Sequence, residues 1–218
     1  MKFTKEIRLK ELGGGTVTVT QIQKINSYSL SELTPAQIYV RKFLLAHNAV
    51  DRDRERFSEE CLDGFMQTLP GKSVLRGHNR AEMPCGLFFD ASVEEMSKAQ
   101  FKTLTGEDAI LPDGMTMVKV LYGHVYFLKN DTTRDLIASM DAGILRYVSI
   151  GFRAADRTAI KSEFGETLFV EYVAPAKALE GSIVWLGAQP GALIKGASGR
   201  PESRKSKNPL DFDNEEGA

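Results

Sequence analysis

Cysteine is scarce in this chain: Cys61 and Cys85 are the only two in 218 residues. They are too few for a disulfide framework, lack the paired spacing of a zinc site, and suit a reducing cytoplasm. No run of about 18 apolar residues occurs, so no membrane-spanning helix is expected. The stretch Met1-Lys2-Phe3-Thr4-Lys5-Glu6-Ile7-Arg8 scatters charge where a secretory signal would need an apolar segment, so export by that route is not expected either. Charge of one sign is also missing. Lys and Arg number 28 against 29 Asp and Glu, a formal net charge of -1, which gives no general pull toward nucleic acid or an anionic membrane. Gly13-Gly14-Gly15 has no lysine-serine partner and is a turn, not a phosphate loop.

With 42% hydrophobic and 26% charged residues, the chain can bury a core as one globular domain without metals or cross-links. The reading is a domain over residues 1–195 and a tail over 196–218, where apolar content collapses into Ser, Lys, Arg, Glu and Asn and disorder is expected. Ile7 and Leu9 alternate with charges, and with Thr16-Val17-Thr18-Val19-Thr20 across the glycine turn they suggest an edge hairpin. Further strands are expected at 38–46, 116–127, 167–173 and 182–186. The region 93–113 has helical character early and turn character late. Ser58 followed by Glu59 and Glu60 reads as a helix start, with Leu62, Phe65, Met66 and Leu69 on one face and Pro70-Gly71 as the stop. A second helix is expected with Thr132 as cap, Leu136, Ile137 and Met140 as its apolar face, and Gly143 as its left-handed end. The expected class is mainly β with flanking helices.

The most informative run is Leu145-Arg146-Tyr147-Val148-Ser149-Ile150-Gly151-Phe152-Arg153. On a strand it sends Val148, Ile150 and Phe152 into an apolar layer and Tyr147, Ser149, Gly151 and Arg153 to the other face. Ser149 then stands beside a residue without a side chain, which leaves room for a substrate to approach. A strand serine is ordinarily a cross-strand hydroxyl, so nucleophilic chemistry needs a base to take its proton. Three histidines exist. His78, in the polar loop Leu75-Arg76-Gly77-His78-Asn79-Arg80, suits exposure at a cleft, whereas His124 in mid-strand and His47 fit packed roles. Cys85, seven residues after His78, reads as a buried thiol at the entry to a core strand. Asp51-Arg52-Asp53-Arg54-Glu55 lacks the glycine and distal glutamate of a calcium loop and reads as a solvated turn.

Gly77-His78, Gly86 eight residues on at the head of an apolar strand, and a short helix ending in Gly143 before Val148-Ser149-Ile150-Gly151-Phe152 together resemble the prohead maturation proteases of tailed bacteriophages. Leu179-Glu180-Gly181-Ser182-Ile183-Val184 and Gly187-Ala188-Gln189-Pro190-Gly191-Ala192 resemble that family's Glu-Val-Ser-Leu-Val strand and Ala-Asn-Pro turn. Gly181 and Gly187 depart from the usual apolar residue and proline. The resemblance spans about residues 40–193 and implies a closed β-barrel like that of the related herpesvirus assemblins. It also implies a serine endopeptidase without cofactor or metal, in which Ser149 attacks, His78 carries the proton and Glu180 orients the imidazole. Glu171 and His124 are the alternatives for that third role. By the family's habit the implied substrates are scaffold and capsid-protein segments and the chain itself. The place of action would be the assembling prohead in the host cytoplasm, without nucleic acid or membrane as partner and with self-association open. The rivals are a non-catalytic capsid-assembly or scaffold-binding module and a hydrolase of small esters.

Overall fold

The computed structural model describes residues 17–195. The chain is mainly β, with a closed seven-strand barrel and four α-helices among the described residues. The strands are β1 (Ile38–His47), β2 (Glu55–Phe57), β3 (Ser73–Arg76), β4 (Gly86–Ser97), β5 (Met117–Leu128), β6 (Tyr147–Lys161), β7 (Thr167–Val184) and β8 (Leu193–Lys195). Pairing runs β7-β3-β4-β5-β1-β8-β6, and β6 returns to β7 to close the wall, while β2 adds in parallel to β7 outside the ring. Closure leaves no free sheet edge around most of the ring.

Alternation along the strands fills the interior. Phe43 and Leu45 of β1, Phe88 of β4, Val125 and Phe127 of β5, and Val148 and Ile150 of β6 are all buried in one cluster. Two glycines make this packing fit. A Cβ on Gly123 would lie 2.6 Å from the Phe88 ring, and one on Gly181 would lie 2.5 Å from it, so this phenylalanine fills the space that two side chains would otherwise occupy.

The helices flank the barrel. α1 (Val19–Asn26) starts with a capping box between Thr18 and Gln21. The β-branched run to Thr20 therefore ends as a helix start and not as the second strand of a hairpin, because Thr18 and Gln21 together satisfy two otherwise orphaned amides. The glycine turn and the first half of that expected hairpin lie outside the described residues, as does the segment from 196 onward. α2 (Glu59–Thr68) begins at Ser58, whose Oγ accepts from the Cys61 N–H at 3.3 Å, with Glu59 and Glu60 at the positive end of the helix dipole. It lies tight on β7. A Cβ on Gly64 would come 2.5 Å from the Ala176 carbonyl oxygen, and Thr68 Oγ1 accepts from the Ala178 N–H at 2.9 Å.

β4 continues to Ser97 before α3 (Lys98–Thr105) begins, so the helical character in 93–113 starts five residues late. α4 (Arg134–Asp141) is capped by Thr133 and not Thr132: the Thr133 hydroxyl turns back to the Leu128 carbonyl and closes the preceding turn. Gly143 follows with φ +70, the left-handed end expected there. The two strands expected at 167–173 and 182–186 are one strand, β7. A register shift opposite 154–156 leaves Ala174 and Pro175 out of the ladder, so the proline does not break it. Among the described residues no helix is long and apolar enough to cross a membrane.

Candidate active site

Ser149, His78 and Glu180 come from three adjacent strands, β6, the end of β3, and β7. Register puts Ser149 opposite Ser182 and Gly151 opposite Glu180. Directly opposed residues in an antiparallel pair share a face, with Cβ atoms about 5 Å apart. Val148, Ile150 and Ile183 fill the core, so Ser149, Gly151, Glu180 and Ser182 stand together on the outer wall.

His78 reaches the same wall from the other side of β7. β3 runs parallel to β7 up to Arg76 opposite Ile183, and the Gly77 N–H donates to the Ile183 carbonyl at 2.9 Å. Gly77 and His78 then both take left-handed backbone, with φ +59 each. For a glycine that is easy, but for a histidine it is uncommon and must be held in place by its surroundings. The His78 N–H donates to Ser182 Oγ at 3.1 Å, which turns the loop over β7.

The imidazole then meets Glu180. Nδ1 and Glu180 Oε1 are 2.7 Å apart, and the glutamate side chain is 7% exposed while the imidazole side chain is 42% exposed. A carboxylate only accepts, so Nδ1 is the donor in this contact, and in the neutral ring the lone pair then belongs to Nε2. The second carboxylate oxygen, Oε2, accepts from the Ser182 hydroxyl at 2.6 Å. Both oxygens are thus engaged, and the carboxylate lies over Gly151: a Cβ there would sit 2.0 Å from Glu180 Oε1. The space beside Ser149 that the sequence offers to a substrate is therefore taken by this carboxylate. Gly151 is required by the histidine's partner.

The Ser149 hydroxyl makes no hydrogen bond to the imidazole among the described residues. Ser149 also borders an open cleft between β6 and the turn before β8, with Leu45, Arg56, Phe57, Phe152 and Gln189 in its lining; His78 and Glu180 are not part of it. Arg153 is exposed.

The other candidates lie elsewhere. Glu171 pairs with Arg56 at 3.2 Å, across the β2–β7 ladder. His124 is half-buried in mid-β5 opposite Lys42 and Asp90, its ring 6.1 Å from that of Phe89, and burial lowers its pKa. His47 is buried, with Nε2 2.8 Å from the Pro190 carbonyl, and burial lowers its pKa to about 4. Neither ring takes part in the Glu180 cluster. Cys85 is buried, its thiol 3.4 Å from the Val74 carbonyl, and burial raises its pKa, which disfavours the reactive thiolate. In the acidic turn, Asp51 Oδ1 accepts from the amides of Asp53 and Glu55 at 2.9 and 2.8 Å, so its carboxylate closes the turn. Among the described residues no group of three or more His, Cys, Asp or Glu side chains could hold a metal ion.

Sequence reasoning passed over Ser182. Its signal was the two-residue step from Glu180, which on any strand puts both side chains on one face. Comparison of the chain with protein-family models, with curated proteins and with solved structures finds no match.

Proposed function

We propose that this chain is a serine endopeptidase in which Ser149 is the nucleophile, His78 its general base and Glu180 the carboxylate that orients the imidazole. The observation that carries the reading is the 2.7 Å contact between His78 Nδ1 and a buried Glu180 carboxylate, on the wall where Ser149 stands. In this reading His78 Nε2 takes the Ser149 proton as Oγ attacks a peptide carbonyl, and then delivers it to the leaving amine. Glu180 stabilises the imidazolium without taking the proton itself. The hydroxyl-to-imidazole hydrogen bond forms when substrate is bound, as catalytic contacts often tighten only in the complex.

A polypeptide substrate suits an open outer wall. Tyr147 shares Ser149's face two residues away and leaves apolar surface exposed beside the serine. Together with the sequence resemblance, this extends the proposal to a herpesvirus-protease-like barrel that cleaves scaffold and capsid-protein segments inside an assembling phage prohead, and cleaves itself. The test is to follow the intact mass of the purified full chain over hours, alone and with a scaffold-type polypeptide. Progressive cleavage is expected, and Ser149→Ala should slow it by on the order of 10³-fold or more with the fold intact. Normal processing by Ser149→Ala would remove the serine from the mechanism. Stable binding of the polypeptide with no cleavage by the parent chain would favour a scaffold-binding module, and turnover of small esters alone would favour an esterase.

A further inference from the structure

We propose that Ser182 is a positioning residue that sets the His78–Glu180 pair, an assignment that rests on the protease reading above. Its hydroxyl contacts both the backbone of the loop carrying the histidine and the carboxylate that orients the ring. Ser182 is 0% exposed. Its Oγ accepts the His78 backbone N–H at 3.1 Å and donates its single proton to Glu180 Oε2 at 2.6 Å. A hydroxyl has one proton to give, and here the carboxylate receives it.

Two consequences follow from this geometry. His78 holds a left-handed backbone that a non-glycine residue adopts only under constraint, and the Ser182 contact is a direct tether on its amide. Glu180 is nearly buried and divides its oxygens between two donors, Oε1 to the imidazole and Oε2 to Ser182. With the second donor in place the carboxylate cannot rotate away from the ring, so Nδ1 keeps its proton and Nε2 stays aimed outward as a base. Ser182 is opposite Ser149 in the β6–β7 register, so the same side chain that holds the base is the cross-strand neighbour of the nucleophile. Ser182 touches neither the scissile bond nor the reacting atoms and acts only through His78 and Glu180.

The experiment compares the full parent chain with Ser182→Ala and with Ser182→Cys, which keeps the side-chain connectivity with a larger, weakly donating sulfur. NMR of the His78 ring nitrogens and of the hydrogen-bonded Nδ1 proton gives a readout independent of turnover. The parent should show one tautomer with a protected Nδ1 proton, and both variants should lose that proton and populate two tautomers. In peptide cleavage, kcat should fall about 10- to 100-fold while KM changes less than about twofold, with the smaller loss in Ser182→Cys. The assignment is overturned if a folded variant keeps the parent's tautomer and proton, or if kcat per folded molecule is unchanged. Should the parent itself cleave no peptide, the protease reading fails, while the ring-nitrogen spectra still decide whether Ser182 holds the pair.

Discussion

Gly181 and Gly151 lie on neighbouring strands one register step apart, and each surrenders its side-chain space to something different. Gly181 faces into the barrel, where the Phe88 ring and Leu45 occupy the position a Cβ would take. Gly151 faces outward, where the Glu180 carboxylate occupies it. Both are required by packing, yet the inner one serves the core and the outer one serves a polar cluster. The difference shows how one strand pair divides its duties between its faces: apolar residues close the barrel, and the intervening positions collect a hydroxyl, a carboxylate and an imidazole. The histidines divide the same way. His47 is sealed inside with its ring on a backbone carbonyl, and His78 is half exposed with its ring on a carboxylate.

The comparison breaks most sharply at Glu180. Glu180→Gln keeps the shape but lacks the negative charge and can turn an amide N–H toward the ring, so cleavage should fall by roughly 10³-fold or more with little change in melting temperature. A steady-state assay beside a thermal melt checks this. The interior histidine gives the next effect. Its folded pKa, about 4, lies below the ordinary histidine value of 6.5, so the unfolded chain binds a proton there that the folded chain refuses. Stability from this group is complete above about pH 6.5 and is lost as pH falls toward 4, by about 3 kcal/mol in all. Urea unfolding across that range should show the slope, and the His47 ring should stay neutral at pH 5 by NMR.

Gly151→Ala pushes on the Glu180 carboxylate, a side-chain end and not backbone, which can make room only by leaving His78 and Ser182. About a 100-fold loss of kcat with a near-native melting temperature is expected. Gly181→Ala pushes on a packed ring and should do the reverse. It should cost about 1–3 kcal/mol by overpacking, seen as a drop of several degrees in melting temperature, with cleavage per folded molecule retained. If both substitutions harmed stability and activity alike, the division between the two faces would be lost.

Much of this fold could be read in the residues, and the places where it could not share one cause. β1, β5, β6, α2 and the Gly143 helix end follow periodicity and capping chemistry that are local. α1 and the single long β7 do not. Thr16 to Thr20 is β-branched throughout, but the capping box at Thr18 and Gln21 outweighs that preference, and Pro175 looks like a strand break until the register shift on β6 accommodates it. The site divides likewise. Alternation along β6 puts Ser149 and Gly151 on one face, as the register does, and the pairing of Glu180 with His78 comes from the resemblance and not from any local pattern. What Gly151 makes room for, and that Ser182 ties the cluster together, depend on which strands pair and in what register, and no local pattern carries that. The exposure of His78 is legible in its polar loop, while its left-handed backbone is not.

The central claim is that the pair His78–Glu180 activates Ser149, and reaction with a fluorophosphonate serine reagent tests it most directly. Peptide mass mapping of the treated full chain should find a single adduct on Ser149, formed many-fold more slowly in His78→Ala and in Glu180→Gln. An unlabelled Ser149 in the folded parent, or labelling at the same rate without His78, would contradict the account.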